Sequence, residues 1–370
     1  MVRRDSSPEE SAVLCLDKPA KKWYAKDVYK KIFLVLLINI FLTTVLAFPA
    51  QADGSQKLGI HILNTTELAL AKKLITVDQP DQWQYVTIPF TLDDLGRLDE
   101  WQDFFNQAKD QKVIPIVRLA TRFENGSWQI PTRKDSVALI SALSGMEWPT
   151  PERRIIVFNE VNHAKEWGGK IDPVGYANML AFVSDWARSE NKNYLVLPAA
   201  MDLAALSGPS TVEAFAYLDA MYQSDPEVFA AVDGWNSHSY PNPGFSASPR
   251  RAGKNSLQGF KYELAWIKQK TEKDFQVYIT ETGWEDNRST GTRLADYYTY
   301  ALENIWSDPQ VVAVTPFVLK GTPGPFADFS FLTAQDQPTR QYLALRSAIQ
   351  KVSNKLRLLS DASRDRAPRF

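Results

Sequence analysis

Eight times after Asp53, a short run of β-branched and aromatic residues gives way to a longer segment of helical periodicity. The runs are Leu58–Leu63, Tyr85–Phe90, Val113–Leu119, Ile155–Asn159, Tyr194–Ala199, Ala231–Ser237, Gln276–Thr280 and Val311–Val318. Between them, apolar residues recur three and four apart, as in Leu98, Trp101, Phe104, Phe105 and Ala108, or Leu294, Tyr297, Tyr298, Ala301, Leu302 and Ile305. A helix after each strand carries the chain back to the edge where that strand began, so successive strands lie parallel. Eight parallel strands close into a single (β/α)8 TIM barrel of the α/β class. The rival is a doubly wound open sheet, but no Gly-x-Gly-x-x-Gly follows the first strand to support it. A barrel takes about 250 residues or more, and the chain has 370.

Connection lengths say where such a barrel does its work. The helix-to-strand links are short (Asp110–Lys112, Glu190–Asn193, Ser307–Gln310), whereas the strand-to-helix links are long: Thr121–Lys134, Val161–Pro173, Pro241–Lys254 and Lys320–Thr339. The long loops share the rim at the carboxyl ends of the strands, where barrels build their sites.

The segment before the repeats reads as an address. An apolar stretch from Ile32 to Phe48 follows Lys30-Lys31 and precedes Pro49-Ala50-Gln51-Ala52, which is a basic flank, a hydrophobic region and an Ala-x-Ala site. Cleavage after Ala52 would release an exported protein, secreted or periplasmic. Left uncleaved, residues 32–48 would hold the barrel outside the membrane. The expected organisation is therefore a signal or anchor over 1–52, a barrel over 53–354 and a basic tail over 355–370.

Composition removes other classes. The formal charge is −1, too little positive field to hold nucleic acid by its phosphates. Cys15 is the only cysteine, and His61, His163 and His238 lie far apart without the spacing of a zinc motif. Neither a metal nor another cofactor is expected.

Two strand ends carry carboxylates placed for acid–base chemistry. Strand four ends in Ile155-Ile156-Val157-Phe158-Asn159-Glu160, and strand seven in Val277-Tyr278-Ile279-Thr280-Glu281-Thr282-Gly283-Trp284. Each places a glutamate at the barrel mouth after an apolar run. Cleaving a sugar–sugar bond needs one protonated carboxyl to release the leaving oxygen and one ionised carboxyl to attack or to guide water. On strand six, Gly234-Trp235-Asn236-Ser237-His238-Ser239-Tyr240, the period of two puts Asn236, His238 and Tyr240 on one side, where imidazole and phenol can orient a carboxylate.

In order and strand position, Asn159-Glu160, His238-Ser239-Tyr240 and Glu281 resemble the retaining glycoside hydrolases of clan A, including the cellulase-like and xylosidase-like families, over roughly residues 57–350. The resemblance implies a barrel whose partner is a β-linked carbohydrate. It makes Glu160 the acid/base, Glu281 the nucleophile and Asn159 a donor to the sugar 2-hydroxyl, with Tyr240 and His238 holding nucleophile and substrate. Retention requires carboxyl groups about 5 Å apart, inversion a wider gap.

The sequence also departs from that pattern. Val161 follows the strand-four Glu where many members have Pro, Thr87 stands near an expected Arg of strand two, and Phe317 stands where strand eight carries Trp. Arg118 of strand three is the candidate for the missing positive group, and Phe317 for the sugar platform. Trp235 and Trp284, with Trp128 and Trp167, lie at strand ends or rim loops and are candidate sugar contacts, since pyranose C–H faces pack on aromatics. A barrel that binds glycan without turnover, or a transglycosylase, would use the same pair.

Overall fold

The computed structural model describes residues 54–76 and 81–365, with side chains to 359. The stretch 1–52, read above as signal or anchor, lies outside the described residues. Among those described, no helix is long and apolar enough to cross a membrane.

Eight parallel strands carry the fold: β1 (Gly59–His61), β2 (Gln84–Phe90), β3 (Val113–Leu119), β4 (Arg153–Val157), β5 (Tyr194–Pro198), β6 (Trp235–His238), β7 (Val277–Glu281) and β8 (Val311–Val314). Their main-chain pairing gives a five-stranded sheet, β1 to β5, and a three-stranded sheet, β6 to β8. Two seams join them into a (β/α)8 barrel. Leu58 bridges Val314 while His61 N donates to Pro316 O at 3.0 Å; at the other seam Asp202 bridges His238 and Asp233 N donates to Val196 O at 2.9 Å. Outside lie α1 (Leu68–Ile75), α2 (Leu98–Asp110), α3 (Arg133–Ser144), α4 (Pro173–Glu190), α5 (Ala214–Ser224), α6 (Gly259–Thr271), α7 (Leu294–Asn304) and α8 (Arg340–Asp365).

Alternation along each strand sorts side chains into two cores. On β3, Val113, Val117 and Leu119 face the helices, whereas Ile116 joins Ile156, Leu197, Tyr278 and Ala313 inside the barrel. The helix-facing layer is the larger and holds an aromatic stack of Phe90, Trp101, Phe104, Phe105 and Trp148. Burying each such ring stabilises by roughly 1.5–3 kcal/mol. Gly59 is required on β1, because a Cβ there would meet the Tyr85 carbonyl and the Thr315 side chain.

Caps start the helices directly after the rim loops. Thr132 and Asp135 form a capping box at α3, with Asp135 N donating to Thr132 Oγ1 at 3.1 Å and Thr132 N to Asp135 Oδ2 at 2.9 Å. Asp172 caps α4 through Gly175 N at 2.7 Å, with Pro173 in its first turn. Each cap contributes about 1 kcal/mol and fixes where a loop must end.

Several sequence expectations shift; the first strand shortens to Gly59–His61 and the eighth ends at Val314 rather than Val318. The fourth strand ends at Val157 rather than Asn159, because Phe158 and Glu160 adopt φ of +71° and +29° and leave the extended region. The sixth begins at Trp235 rather than Ala231, since Val228–Ala231 forms a 3-10 turn. The segment read as a basic tail from residue 355 instead continues α8 to Asp365, with Lys355 Nζ bound to Glu303 Oε1 at 2.8 Å.

Candidate active site

The floor of the rim cleft is a row of small polar groups inside the barrel. Thr87 and Thr315 hydroxyls lie 2.8 Å apart, Thr315 Oγ1 donates to Thr280 O at 2.8 Å, and Thr280 Oγ1 donates to Asn236 Oδ1 at 2.6 Å. Thr87 thus stands where a strand-two arginine was sought, and it carries floor rather than charge.

Above that floor two carboxylates face each other. Glu281 arrives through a bulge: Ser237 pairs with Ile279 and His238 with Glu281, so Thr280 is the extra residue and both Thr280 and Glu281 point inward. Glu160 arrives from β4 through two left-handed residues, Phe158 and Glu160, on either side of Asn159. Such backbone costs about 1–3 kcal/mol per residue and persists where packing enforces it. Here Phe158 is buried against Trp167, with ring centroids 5.8 Å apart. Carboxylate oxygens of Glu160 and Glu281 and a ring nitrogen of His238 all lie within 4.8 Å of one another.

The donors around the pair are distinct. Arg118 Nη1 reaches Glu281 Oε1 at 3.1 Å and Asn159 Oδ1 at 2.6 Å, while Tyr240 Oη donates to Glu281 Oε2 at 3.2 Å. His238, expected beside Glu281, binds Glu160 instead: its Nδ1 is 2.8 Å from Glu160 Oε1 and 3.7 Å from Glu281 Oε2. Burial alone would push Glu281 up, but His238, His61, Arg118 and the Tyr240 hydroxyl outweigh it and hold the carboxyl below its usual range. For His238, burial opposes the charge, and Glu281 and Glu160 outweigh it and raise the imidazole above its usual range. The two carboxylates and His238 also have donor atoms close enough for a cation. Arg118, however, already sets its positive charge against Glu281, the partner such an ion would take.

Among the sequence candidates, Glu160, Glu281, Asn159, His238, Tyr240 and Arg118 converge on this cleft. Phe317 lies at its edge, half-buried, its ring 5.1 Å from His61 and 5.0 Å from the exposed Phe326. Trp235 and Trp284 do not reach the cleft, which corrects the expectation that they contact sugar. Parity turns Trp235 outward, against Phe229, Trp266 and Phe275. Trp284 is wholly buried against Tyr298 and Trp306, and its Nε1 donates to Ala247 O at 2.8 Å. Trp167 is likewise buried, but it and half-buried Trp128 both line a pocket with Arg118, Gln129, Asn159 and Glu166.

Two residues at the site escaped the sequence reading. His61 on β1 is fully buried, its Nδ1 3.6 Å from Glu281 Oε1 and the Thr280 backbone beside its ring; burial lowers it to about 3, so it is neutral near pH 7 and gains charge only in acid. The signal was available, since His61 alternates with apolar Leu58, Ile60 and Ile62. Glu166 accepts from Asn159 Nδ2 at 3.3 Å and comes from mid-loop, where no periodicity points.

A monomeric β-xylosidase from Caulobacter crescentus CB15 matches this structure with a TM-score of 0.58 at 15% identity, over 80% of this chain and 68% of its own. The fold is that of glycoside hydrolase barrels. A family 39 glycoside hydrolase from Bacteroides cellulosilyticus WH2 gives 0.54 at 16% identity over 80% of this chain and 64% of its own. GH5_18 from Streptomyces cattleya, solved with GlcNAc, gives 0.55 at 16% identity and 80% of each chain. The chain thus spans about two thirds of the length of the first two. No family model matches this chain, and no curated protein matches it in sequence.

Proposed function

We propose that this barrel is a retaining β-glycosidase with Glu281 as nucleophile and Glu160 as acid/base. One observation carries the reading: two carboxylates at the rim, with oxygens within 4.8 Å, whose environments differ in kind. That spacing between facing oxygens favours the roughly 5 Å of retaining enzymes over the about 6.5–9.5 Å across which inverting pairs hold a water. Guanidinium and phenol donors favour the ionised form of Glu281, the state a nucleophile needs. Glu160 meets an imidazole that can exchange a proton with it.

In the first step a Glu281 oxygen bonds to the anomeric carbon as the glycosidic C–O bond breaks, and Glu160 gives its proton to the departing oxygen. Water then gives a proton to Glu160 and its oxygen to the anomeric carbon, freeing the Glu281 carboxylate. Half-buried Phe317 offers an apolar face beside the pair for a sugar ring.

The test is turnover of an aryl β-glycoside panel by Glu281→Gly. The variant should lose about 10⁴-fold or more in kcat, and added azide should restore turnover while forming the α-glycosyl azide. Turnover at the wild-type rate by the Glu160→Gln, Glu281→Gln double variant would reject both assignments.

A further inference from the structure

Pair by pair, the charges of the cleft balance until Glu166 is reached. Glu160 has His238 Nδ1 at 2.8 Å, and Glu281 has Arg118 Nη1 at 3.1 Å. Glu166 is a third carboxyl, only 9% exposed in its side chain, and among the described residues no cation lies within hydrogen-bonding distance of it. One oxygen accepts from Asn159 Nδ2 at 3.3 Å; the other is 3.7 Å from the ammonium of Lys165, whose side chain is 59% exposed and so screened by water. Burial first, then the charge of Glu160, raises Glu166 above the usual carboxyl range.

The turn that carries Glu166 is tied down on both sides. His163 N donates to Glu160 O at 2.8 Å and Glu166 N to His163 O at 3.0 Å, which folds the loop back toward the end of β4. Gly168 N donates to Trp128 O at 2.7 Å, fastening to the same turn the short hairpin of Phe123-Glu124 and Ser127-Trp128. Glu166, Asn159, Arg118, Gln129, Trp128 and Trp167 line a recess of about 20 Å³, space for one small polar group rather than for a sugar ring. The recess carries an uncompensated negative charge, because Arg118 commits Nη1 to Asn159 and Glu281. Gln129 adds no positive charge, and its Nε2 donates to Glu124 at 2.7 Å.

Resting on the glycosidase reading above, we propose that this recess is a subsite for the ammonium group of an amino sugar, with Glu166 as its counter-charge. The recess lies one side chain from the nucleophile, since Arg118 joins Asn159 to Glu281, so the group it takes is a substituent of the sugar ring that Glu281 attacks. An ammonium there donates a charge-assisted hydrogen bond to the second oxygen of Glu166 and lies among indoles, which favour a cation. It also offsets the burial and the Glu160 charge that oppose ionisation of Glu166. A hydroxyl in the same place keeps a hydrogen bond without the charge, and the carboxylate of a uronic acid meets a like charge.

The experiment is calorimetric titration of the whole protein with methyl β-D-glucopyranoside and with its 2-amino-2-deoxy and 6-amino-6-deoxy counterparts, at a pH where the amines are protonated. At least one amino glycoside should bind about tenfold or more tighter than the neutral sugar, and which one does so locates the recess relative to the ring. Glu166→Gln keeps an acceptor for Asn159 and loses the charge, so the preference should vanish, whereas Glu166→Asp keeps the charge and should retain part of it. Each preference is a ratio within one variant, so a smaller folded fraction leaves it unchanged. Equal binding of the three sugars by the wild type, binding of neither amino glycoside, a preference that survives in Glu166→Gln, or equal loss in both variants would overturn the subsite. Binding needs no turnover. Failure of azide rescue in Glu281→Gly would therefore remove the nucleophile and leave the subsite, whereas rescue without an amino preference would remove the subsite alone.

Discussion

The two faces of β6 each lie against a buried carboxyl and treat it in opposite ways. On the inner face, beside His238 and Tyr240, Glu281 is held ionised by Arg118 at 3.1 Å and the Tyr240 hydroxyl at 3.2 Å. On the outer face, Glu263 of α6 is fully buried, accepts from the Ser237 hydroxyl, itself 2.8 Å from that of Ser239, and has the Trp235 indole beside it but no cation paired with it among the described residues. Burial therefore pushes Glu263 up to about 7. Depth is similar on the two sides, so burial alone does not decide the charge. A guanidinium does.

Replacing that guanidinium should break the contrast most visibly. Glu281 is depressed in the folded protein, so it stays ionised until pH falls through a low value, and the acid limb of kcat/KM lies there. Arg118→Met should raise the limb by about one to three pH units, cutting activity at acid pH by tenfold or more, with a smaller loss near neutrality. An acid limb that does not move would show that Arg118 serves the fold alone.

The outer face predicts a smaller effect, on stability. Folded Glu263 binds a proton that the unfolded chain releases at about 4.5, so stability falls as pH rises from there through about 7 and is flat beyond. Glu263→Gln stays neutral throughout. Relative to wild type, it should gain up to about 3 kcal/mol in denaturant unfolding at pH 8, and the gain should shrink to nothing below pH 4.5. A gain equal at pH 8 and pH 4.5 would mean that packing, not ionisation, separates the two side chains.

The same two faces explain how much of the molecule was legible in the sequence. Alternating strands and amphipathic helices depend on local periodicity, so eight strands and the rim loops could be read directly, with strand ends misplaced where left-handed backbone or a 3-10 turn replaces extended chain. Glu160, Glu281, Asn159, His238, Tyr240 and Arg118 could be gathered because strand ends share one rim. Trp235 and Trp284 were placed by composition and proximity to that rim. Parity should have decided for Trp235, because a residue one step from inward-facing Asn236 must face the helices. The partner of His238 was not legible, because the bulge at Thr280 and the left-handed backbone at Phe158 and Glu160 set side-chain direction, and neither has a sequence pattern of its own. Glu166 reaches the site by a tertiary fold-back of its loop, which no spacing encodes.

The most direct test of the central claim is to trap the enzyme with 2-deoxy-2-fluoro-β-glucosyl fluoride and its xylosyl counterpart, then map the adduct by peptide mass spectrometry. The account predicts one glycosyl unit per chain, attached at Glu281 and absent from Glu281→Gln. An adduct on Glu160 or elsewhere, or hydrolysis of an aryl β-glycoside with inversion at the anomeric carbon, would contradict it.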